Sequence, residues 1–345
     1  MKIRDIEAGP GEKAFGYLQS SKTISGIPIH IPINIVRGAE DGPVLLASSA
    51  VHGAEAIGTF ALGQILREID PKDLKGTLIA VPVANTSAFE FTSRRTYWDG
   101  ENLNRNADDA SLEGSPTAQL AWMYINELVT KADAVIDMHS GGGEGLVWYT
   151  IYPGEHGEPE VIEKSKQMAL AFGLKQIFRK RPKRWGGGLK DAAVDMGVPS
   201  ITPEVGGGSA WYEYNEEKEN YHFVGNDQIQ VCVRGIKNVM ILLGMLEGKI
   251  ETESDVAEIY DAGDEEIWSG TQAGIFIRDF QWGDHLEEGD VFATVYDPLT
   301  GEKTGEILCP NSGIVLNTGL TWPTAGQWKW LGNLGQLVET VELDF

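Results

Sequence analysis

A histidine and a glutamate that are separated by two residues could share a metal ion. The pair is His52 and Glu55, in the segment HGAE. Imidazole nitrogen and carboxylate oxygen are zinc ligands, and a catalytic zinc site leaves one position open for water. An isolated pair of this kind also occurs in purely structural positions, so other features have to support a metal site.

Two further segments carry side chains that suit such a site. Asp137 and His139 lie in the segment DMHSGGG, and their separation by two residues puts both on one face of an extended strand. Asp137 could therefore orient His139 through a hydrogen bond, or it could simply cap the strand end. Glu204 lies in the segment PEVGGG, where it could take a proton from water and deliver it to a leaving amine.

Basic side chains are concentrated in two loops. Residues 93–105 have the sequence SRRTYWDGENLNR and contain Arg94, Arg95 and Arg105. A guanidinium group binds carboxylates and developing oxyanions through parallel hydrogen bonds, although these arginines could equally pair with acidic side chains of the surface. The basic, glycine-rich residues 181–188 are a candidate for a second substrate-side loop or for an ordinary exposed turn.

The elements that must position these residues alternate between strands and helices. Short apolar runs predict strands at residues 44–51, 77–83, 134–139 and 199–204. Apolar residues at helical spacing predict helices at residues 57–69, 116–131, 160–172, 189–196 and 227–246. This alternation indicates an α/β domain with a largely parallel sheet. Sites in such sheets lie at the carboxyl ends of the strands, where His52 and His139 are predicted.

The sequence changes character after this α/β region. Acidic residues cluster at residues 252–266 and predict a linker. Short β-prone runs between glycine turns follow, and residues 274–277 and 313–316 look like equivalent strands. We therefore predict a catalytic domain at residues 1–252 and, at residues 253–345, a small all-β domain of the barrel-sandwich-hybrid type that partly covers the active site.

The composition excludes several classes of protein. The 345 residues suffice for about two domains, and 28 basic against 51 acidic side chains give a net charge of −23. Such a charge disfavours a nucleic-acid partner. Two cysteines exclude an all-cysteine zinc site. Since the sequence shows neither a membrane span nor a signal peptide, we expect a cytoplasmic protein without membrane contact.

The order of the segments resembles the succinylglutamate desuccinylase/aspartoacylase family, which belongs to the zinc carboxypeptidase-like proteins. The resemblance is carried by HGAE, SRR…DGENLNR, DMHSGG and PEVGGG. It spans nearly the whole chain and is greatest for the branch of predicted bacterial deacylases. It implies a zinc-carboxypeptidase-like α/β/α sandwich with a mixed, largely parallel sheet, followed by a small C-terminal all-β domain.

The resemblance also implies a metal site and a catalytic group. One Zn²⁺ per chain would be bound by His52, Glu55 and His139. Glu204 would be the catalytic glutamate, and Arg94 would polarise the scissile carbonyl.

Substrate-binding residues follow from the same resemblance. Asn104 and Arg105 would hold a substrate carboxylate, and Arg95 would bind substrate or take the place of Arg94 at the carbonyl. Many relatives have Phe-Pro-Gly after the asparagine–arginine pair, whereas residues 106–109 here are NADD. The identity of the substrate therefore does not carry over from any relative.

These features lead us to expect a zinc-dependent amidohydrolase that cleaves the amide bond of a small N-acyl amino acid or a related carboxylated amide. The same residues would suit a metallocarboxypeptidase or an esterase. The β-domain also resembles biotinyl and lipoyl carriers, but Lys303 lies in a turn without neighbouring methionines, which disfavours a carrier. The net charge of −23 favours a substrate with a cationic amine part. Family members also suggest a homo-oligomer.

Overall fold

The structure is a computed structural model that describes residues 1–142, 147–180, 187–207, 212–215, 220–223, 225–280, 283–318 and 324–345. Of the basic loop at residues 181–188, only Gly187 and Gly188 are among them, and its other members lie outside the described residues.

The helices and strands follow the predicted alternation in the first two-thirds of the chain. The helices are α1 (Ile57–Glu68), α2 (Thr86–Glu90), α3 (Pro116–Glu127), α4 (Pro159–Phe172), α5 (Leu189–Asp195) and α6 (Gly225–Leu242), with short 3₁₀ turns at Pro71–Asp73, Leu103–Arg105 and Val129–Lys131. The strands are β1 (Lys2–Ile3), β2 (Ile6–Glu7), β3 (Glu12–Lys22), β4 (Pro28–Arg37), β5 (Glu40–Ser49), β6 (Lys75–Val81), β7 (Ala134–Met138), β8 (Val147–Pro153), β9 (Gln176–Lys180), β10 (Ser200–Gly206), β11 (Tyr212–Asn215), β12 (Asn220–Phe223), β13 (Val256–Trp268), β14 (Gly274–Ile277), β15 (His285–Leu286), β16 (Val291–Tyr296), β17 (Lys303–Leu308), β18 (Gly313–Thr318), β19 (Thr324–Ala325) and β20 (Trp330–Glu342).

A large mixed sheet organises the molecule. Its strands lie in the order β15-β18-β20-β13-β9-β8-β10-β7-β5-β6-β4-β3. Parallel pairs join β10, β7, β5 and β6, and a second parallel group joins β8, β9 and β13. The two ends of the sheet and the β8/β10 pair are antiparallel. The predicted mixed sheet is confirmed, with its parallel strands in the middle.

Helices cover both faces of this sheet because its central strands are apolar on both sides. Adjacent residues of β5 point to opposite faces, so that Leu45 belongs to one core cluster and Leu46 to the other. The first cluster includes Phe172 of α4 and Ile236 of α6, whereas the second includes Leu189 of α5 and residues of α3. The predicted α/β/α sandwich is therefore the observed architecture.

The C-terminal region is all-β, as predicted, but it does not begin with a linker. The acidic stretch at residues 252–266 runs into β13, which pairs with β9 in the large sheet and with β20. It forms a strand because apolar Ala257 and Ile259 are buried while acidic Glu258 between them is not. Strands β15, β18 and β20 extend the large sheet, and β14, β16, β17 and β19 form a second sheet over a small core around Phe276 and Phe292.

Several predictions about the whole chain stay predictions. They are the boundary between residues 252 and 253, the covering of the active site by the β-region, the cytoplasmic location and the homo-oligomer. Among the described residues, no helix is both long and apolar enough to cross a membrane.

Lys303, the lysine considered for a carrier, lies in β17. Its Nζ pairs with Oε1 of Glu306 at 2.6 Å.

Candidate active site

Three buried side chains form a cluster at the carboxyl edge of the parallel strands. Nδ1 of His52 lies 2.8 Å from Oε1 of Glu55, and Nδ1 of His139 lies 2.6 Å from Oε2 of the same carboxylate. None of the three residues is more than 4% exposed. One donor atom from each lies within 4.8 Å of the other two, which is close enough to hold a metal ion.

The backbone places His52 and Glu55 by a sharp turn at the end of β5. Ala50 adopts a left-handed conformation with φ of 52°, which takes the chain out of the strand. Gly53 then packs so closely on the backbone of Ala88 that any side chain would collide with it. The Gly53 amide donates to Ser93 O at 2.7 Å, so the same turn fixes the start of the arginine-containing loop.

The outer nitrogen of each histidine is held by a separate acceptor. Nε2 of His52 lies 3.0 Å from Oδ1 of Asn102, and this oxygen also accepts from the Asn104 amide at 3.0 Å. Nε2 of His139 lies 3.1 Å from Oδ2 of Asp137. Since both acceptors require a donor, each Nε2 carries a proton, and Nδ1 is the ring atom of each histidine that faces Glu55. Such partners orient metal-binding histidines.

The charges in the cluster depend on one another. Burial alone would raise the pKa of Glu55, but His52 and His139 hold it well below its usual range. Burial likewise opposes charge on His139, yet the carboxylates of Asp137 and Glu55 raise its pKa well above the usual value. Burial lowers the pKa of His52. A divalent cation could replace the protons that bridge these donors, and two imidazoles with one carboxylate match the ligand chemistry of zinc.

Glu204 lies next to this cluster. Its backbone pairs with that of His139 in a parallel bridge, in which the His139 amide donates to Pro203 O at 2.8 Å and the Val205 amide to His139 O at 3.1 Å. Burial raises the pKa of Glu204 to about 7. The charge of Glu55 also raises this pKa, whereas the charge of His139 lowers it. A partly buried carboxyl group beside a metal site is suited to proton transfer.

The structure separates the two candidate arginines. Nη1 of Arg94 donates to Oε1 of Glu55 at 3.2 Å, and the Arg94 side chain is 44% exposed. Nη1 of Arg95 donates instead to Gly100 O at 2.9 Å, within its own loop. Arg94 is therefore brought to the cluster, whereas the part of Arg95 in substrate binding stays a prediction.

Asn104 and Arg105 pack against the start of α5. Oδ1 of Asn104 accepts from the Leu189 amide at 3.3 Å. Gly187, with φ of +81°, approaches the Arg105 backbone so closely that a Cβ would collide with it, and the Gly187 carbonyl accepts from the Ala107 amide at 2.9 Å. Burial and the charge of Arg94 lower the pKa of Arg105, so the two guanidinium groups belong to one positive region.

Two residues near the site were not predicted from the sequence. Asn102 lies in the DGENLNR segment, but nothing in the spacing shows that its side chain reaches His52. Lys190, in the first turn of α5, is surrounded by charges that include those of Glu204 and Asp137, and burial together with Lys180 lowers its pKa to about 8. The helix position of Lys190 was predicted, whereas its orientation toward the site depends on how α5 packs.

The chain is similar to proteins of known family and structure. A family model described as the succinylglutamate desuccinylase/aspartoacylase catalytic domain matches residues 41–226. N-alpha-acetyl-L-2,4-diaminobutyric acid deacetylase from Halomonas elongata is 27% identical over 276 residues, which cover 78% of this chain and 75% of that protein. All the predicted site residues lie within the span that the family model matches.

Solved structures share the fold over almost the full length. A succinylglutamate desuccinylase/aspartoacylase from Rhodobacter sphaeroides has a TM-score of 0.84 at 20% identity, with 97% of this chain and 98% of that chain covered. The product-bound ectoine utilization protein EutE (DoeB) from Ruegeria pomeroyi has a TM-score of 0.82 at 23% identity, with 97% and 99% covered. At these identities the likeness shows the fold alone.

Proposed function

Because the chain belongs to the succinylglutamate desuccinylase/aspartoacylase family, we propose that it is a zinc-dependent hydrolase of a non-peptide amide bond. The substrate in this proposal is a small N-acyl amino acid or related carboxylated amide, which is split into an acid and an amine. The observation that carries the proposal is the convergence of Arg94 and Glu204 on the buried cluster of His52, Glu55 and His139.

The first step needs a metal and a base. His52, Glu55 and His139 would hold the zinc, which when bound would supply the Lewis acidity that makes water more acidic and an amide carbonyl more electrophilic. Glu204 takes a proton from the attacking water; its backbone bridges to that of His139, and its carboxyl group interacts electrostatically with His139 and Glu55. The same carboxyl group then protonates the leaving amine, which departs poorly without a proton.

The positive side chains bind and polarise the substrate. Arg94 is fixed at one side by Glu55 and is partly exposed, so its remaining N–H groups can donate to the oxyanion that develops on the carbonyl oxygen. Arg105 adds a second guanidinium group near Arg94, and together with Asn104 it holds the carboxylate of the substrate. Two positive charges draw a carboxylated substrate into a chain whose net charge is −23.

The amine part of the substrate is proposed to be cationic. The Halomonas elongata relative acts on N-alpha-acetyl-L-2,4-diaminobutyric acid, whose free amine is positive at neutral pH. The negative field of this chain favours such a group. N-acetyl-L-2,4-diaminobutyrate is therefore the first compound to test.

A substrate series tests the proposal. The zinc-loaded protein is assayed with N-acetyl-L-2,4-diaminobutyrate, N-acetylaspartate, N-succinylglutamate, a set of short peptides and the ester analogue of the best amide. We expect the diamino substrate to have a kcat/KM at least about tenfold above the acidic amides, since a hydrogen bond to a charged group contributes about 1.5–3 kcal/mol and about 1.4 kcal/mol is a factor of ten. Release of C-terminal residues from peptides with a kcat/KM above that of every N-acyl amino acid would overturn the proposal.

A further inference from the structure

A chain of hydrogen bonds runs from the metal-ligand cluster into the core. Oδ2 of Asp137 lies 3.1 Å from Nε2 of His139, and Oδ1 of Asp137 accepts from the Ser48 hydroxyl at 3.0 Å. Oγ of Ser48 lies 2.7 Å from Oη of Tyr124. Each of these four residues is at most 4% exposed, so water does not compete for the bonds.

The proton positions in this chain follow from the chemistry of its groups. An ionised carboxylate only accepts, so Ser48 and His139 both donate to Asp137. The single hydroxyl proton of Ser48 is then used, and Tyr124 must donate to Ser48 Oγ. His139 carries its proton on Nε2, which leaves Nδ1 as the atom that faces Glu55. The hydroxyl pair thus supports the tautomer and the ring orientation that a metal ligand needs.

Three separate elements meet in this chain. Ser48 of β5 and Asp137 of β7 are direct neighbours in the parallel register of the sheet. Tyr124 comes from α3, which lies on one face of the sheet and packs its ring into the apolar core. The bonds therefore tie a helix of the outer layer to a side chain at the strand edge.

Packing alone does not require these hydroxyl groups. Burying a hydroxyl is unfavourable unless it is hydrogen-bonded, and phenylalanine and alanine would fill nearly the same space as Tyr124 and Ser48. The two hydroxyls donate in series toward one carboxylate, whose side-chain hydrogen bonds among the described residues are those to Ser48 and His139.

We propose that Ser48 and Tyr124 are positioning residues that hold Asp137 in place behind His139 and thereby set how tightly the cluster binds a divalent metal. The inference rests on the proposed function, because it needs zinc at His52, Glu55 and His139. Tyr124 acts only through Ser48, and Ser48 acts only through Asp137.

Zinc affinity measured by competition with a chromophoric chelator tests this inference without any substrate. Loss of an outer partner of a metal ligand weakens metal binding by about 10- to 100-fold. Because Ser48 is one bond further out, we expect Ser48→Ala to weaken zinc binding about tenfold, at the lower end of that range, and Tyr124→Phe to have a smaller effect. The double variant should bind zinc like Ser48→Ala alone, since the hydrogen bond of the Tyr124 hydroxyl within the described part of the chain goes to Ser48.

Two matched variants separate positioning from general stability. Ser165 is buried, donates to Val161 O at 2.8 Å and accepts from the Ser200 amide at 2.9 Å, so Ser165→Ala removes a comparable hydroxyl elsewhere. Tyr260 is a buried tyrosine whose hydroxyl donates to Oε2 of Glu258 at 2.8 Å in another part of the molecule, so Tyr260→Phe is the counterpart of Tyr124→Phe. Both controls should lower the melting temperature to a similar extent while zinc affinity stays at the wild-type value.

Each result decides the matter. Wild-type zinc affinity in Ser48→Ala and Tyr124→Phe, or an equal loss of affinity in the two controls, would overturn the inference. If the losses of zinc affinity add in the double variant, Tyr124 does not act through Ser48. If Ser48→Ala does not fold, Tyr124→Phe decides alone, because it removes one atom and keeps the ring. A wild-type protein that binds no zinc would instead overturn the proposed function, and the inference with it.

Discussion

The two sides of the candidate active site are held in different ways. On the metal side, His52, Glu55 and His139 are buried at the ends of paired strands, and the outer nitrogens of both histidines have fixed acceptors. On the substrate side, the loop of residues 93–105 carries Arg94, whose side chain is 44% exposed. A sheet edge thus positions the proposed metal ligands, whereas loop contacts position the groups that we propose to bind substrate. Changes on the metal side should remove the reaction, and changes on the substrate side should alter affinity and selectivity.

The largest effect is expected from the metal side. His139→Ala removes one of the three proposed ligands and leaves Asp137 without the imidazole that it contacts at 3.1 Å. We expect zinc content to fall close to zero and turnover to fall below detection, as measured by elemental analysis and by release of product. His285→Ala, which changes an exposed histidine of the C-terminal region, is the control. Retention of zinc in His139→Ala would break the distinction between the two sides.

Glu204→Gln should separate catalysis from metal binding. Glutamine keeps the size and the hydrogen bonding of the side chain but does not accept the proton of water. We expect kcat to fall about 10²- to 10⁴-fold while zinc content is unchanged. Exposed Glu40→Gln should behave like wild type. If Glu204→Gln is as active as wild type, another group serves as the base.

Arg94→Met tests the point where the two sides meet. The variant loses the donor to the developing oxyanion but leaves all three ligands, so we expect kcat/KM to fall about 10²- to 10³-fold with zinc still bound. Arg37→Met is the matched control, because Arg37 pairs with Asp41 far along the sheet in an exposed ion pair. A loss of zinc in Arg94→Met would place Arg94 on the metal side instead.

The smallest effect is expected for Gly187→Ala. A Cβ there would collide with the Arg105 backbone, so the substrate side should shift and KM should rise severalfold, with zinc content and kcat little changed. Gly197→Ala is a close control, since Gly197 has a similar φ of +78° but open space around it. Both variants have a backbone cost of about 1 kcal/mol, so only the difference between them reports on Arg105. Equal KM values in the two variants would contradict this role for Gly187.

The contrast between side chains at strand ends and side chains held by loop contacts also explains how much of the site could be predicted from the sequence. The apolar runs that became β5 and β7 are continuous, and a residue that directly follows such a run lies at the strand end. The positions of His52 and His139 follow from that rule. The contacts of Asn102 with His52 and of Gly187 with Arg105 join segments far apart in sequence, and no local pattern encodes them.

Two errors in the fold have local causes. The antiparallel strands β3 and β4 were not predicted, although Ile29, Ile31 and Ile33 alternate with polar or exposed residues in the way that a half-buried strand requires. The charge of the acidic residues 252–266 predicts a linker, whereas the alternation of Ala257, Glu258 and Ile259 indicates a strand. In both segments, the alternation of buried and less buried residues indicates the strand that is observed.

Titration of the metal-free protein with zinc tests the central claim most directly. Hydrolysis of N-acetyl-L-2,4-diaminobutyrate is followed while zinc is added in small steps. Our account predicts no turnover without metal, a linear rise, and a plateau at one zinc ion per chain, with His139→Ala inactive throughout. Full turnover by protein stripped of metal, or a His139→Ala curve that matches the wild type, would contradict it.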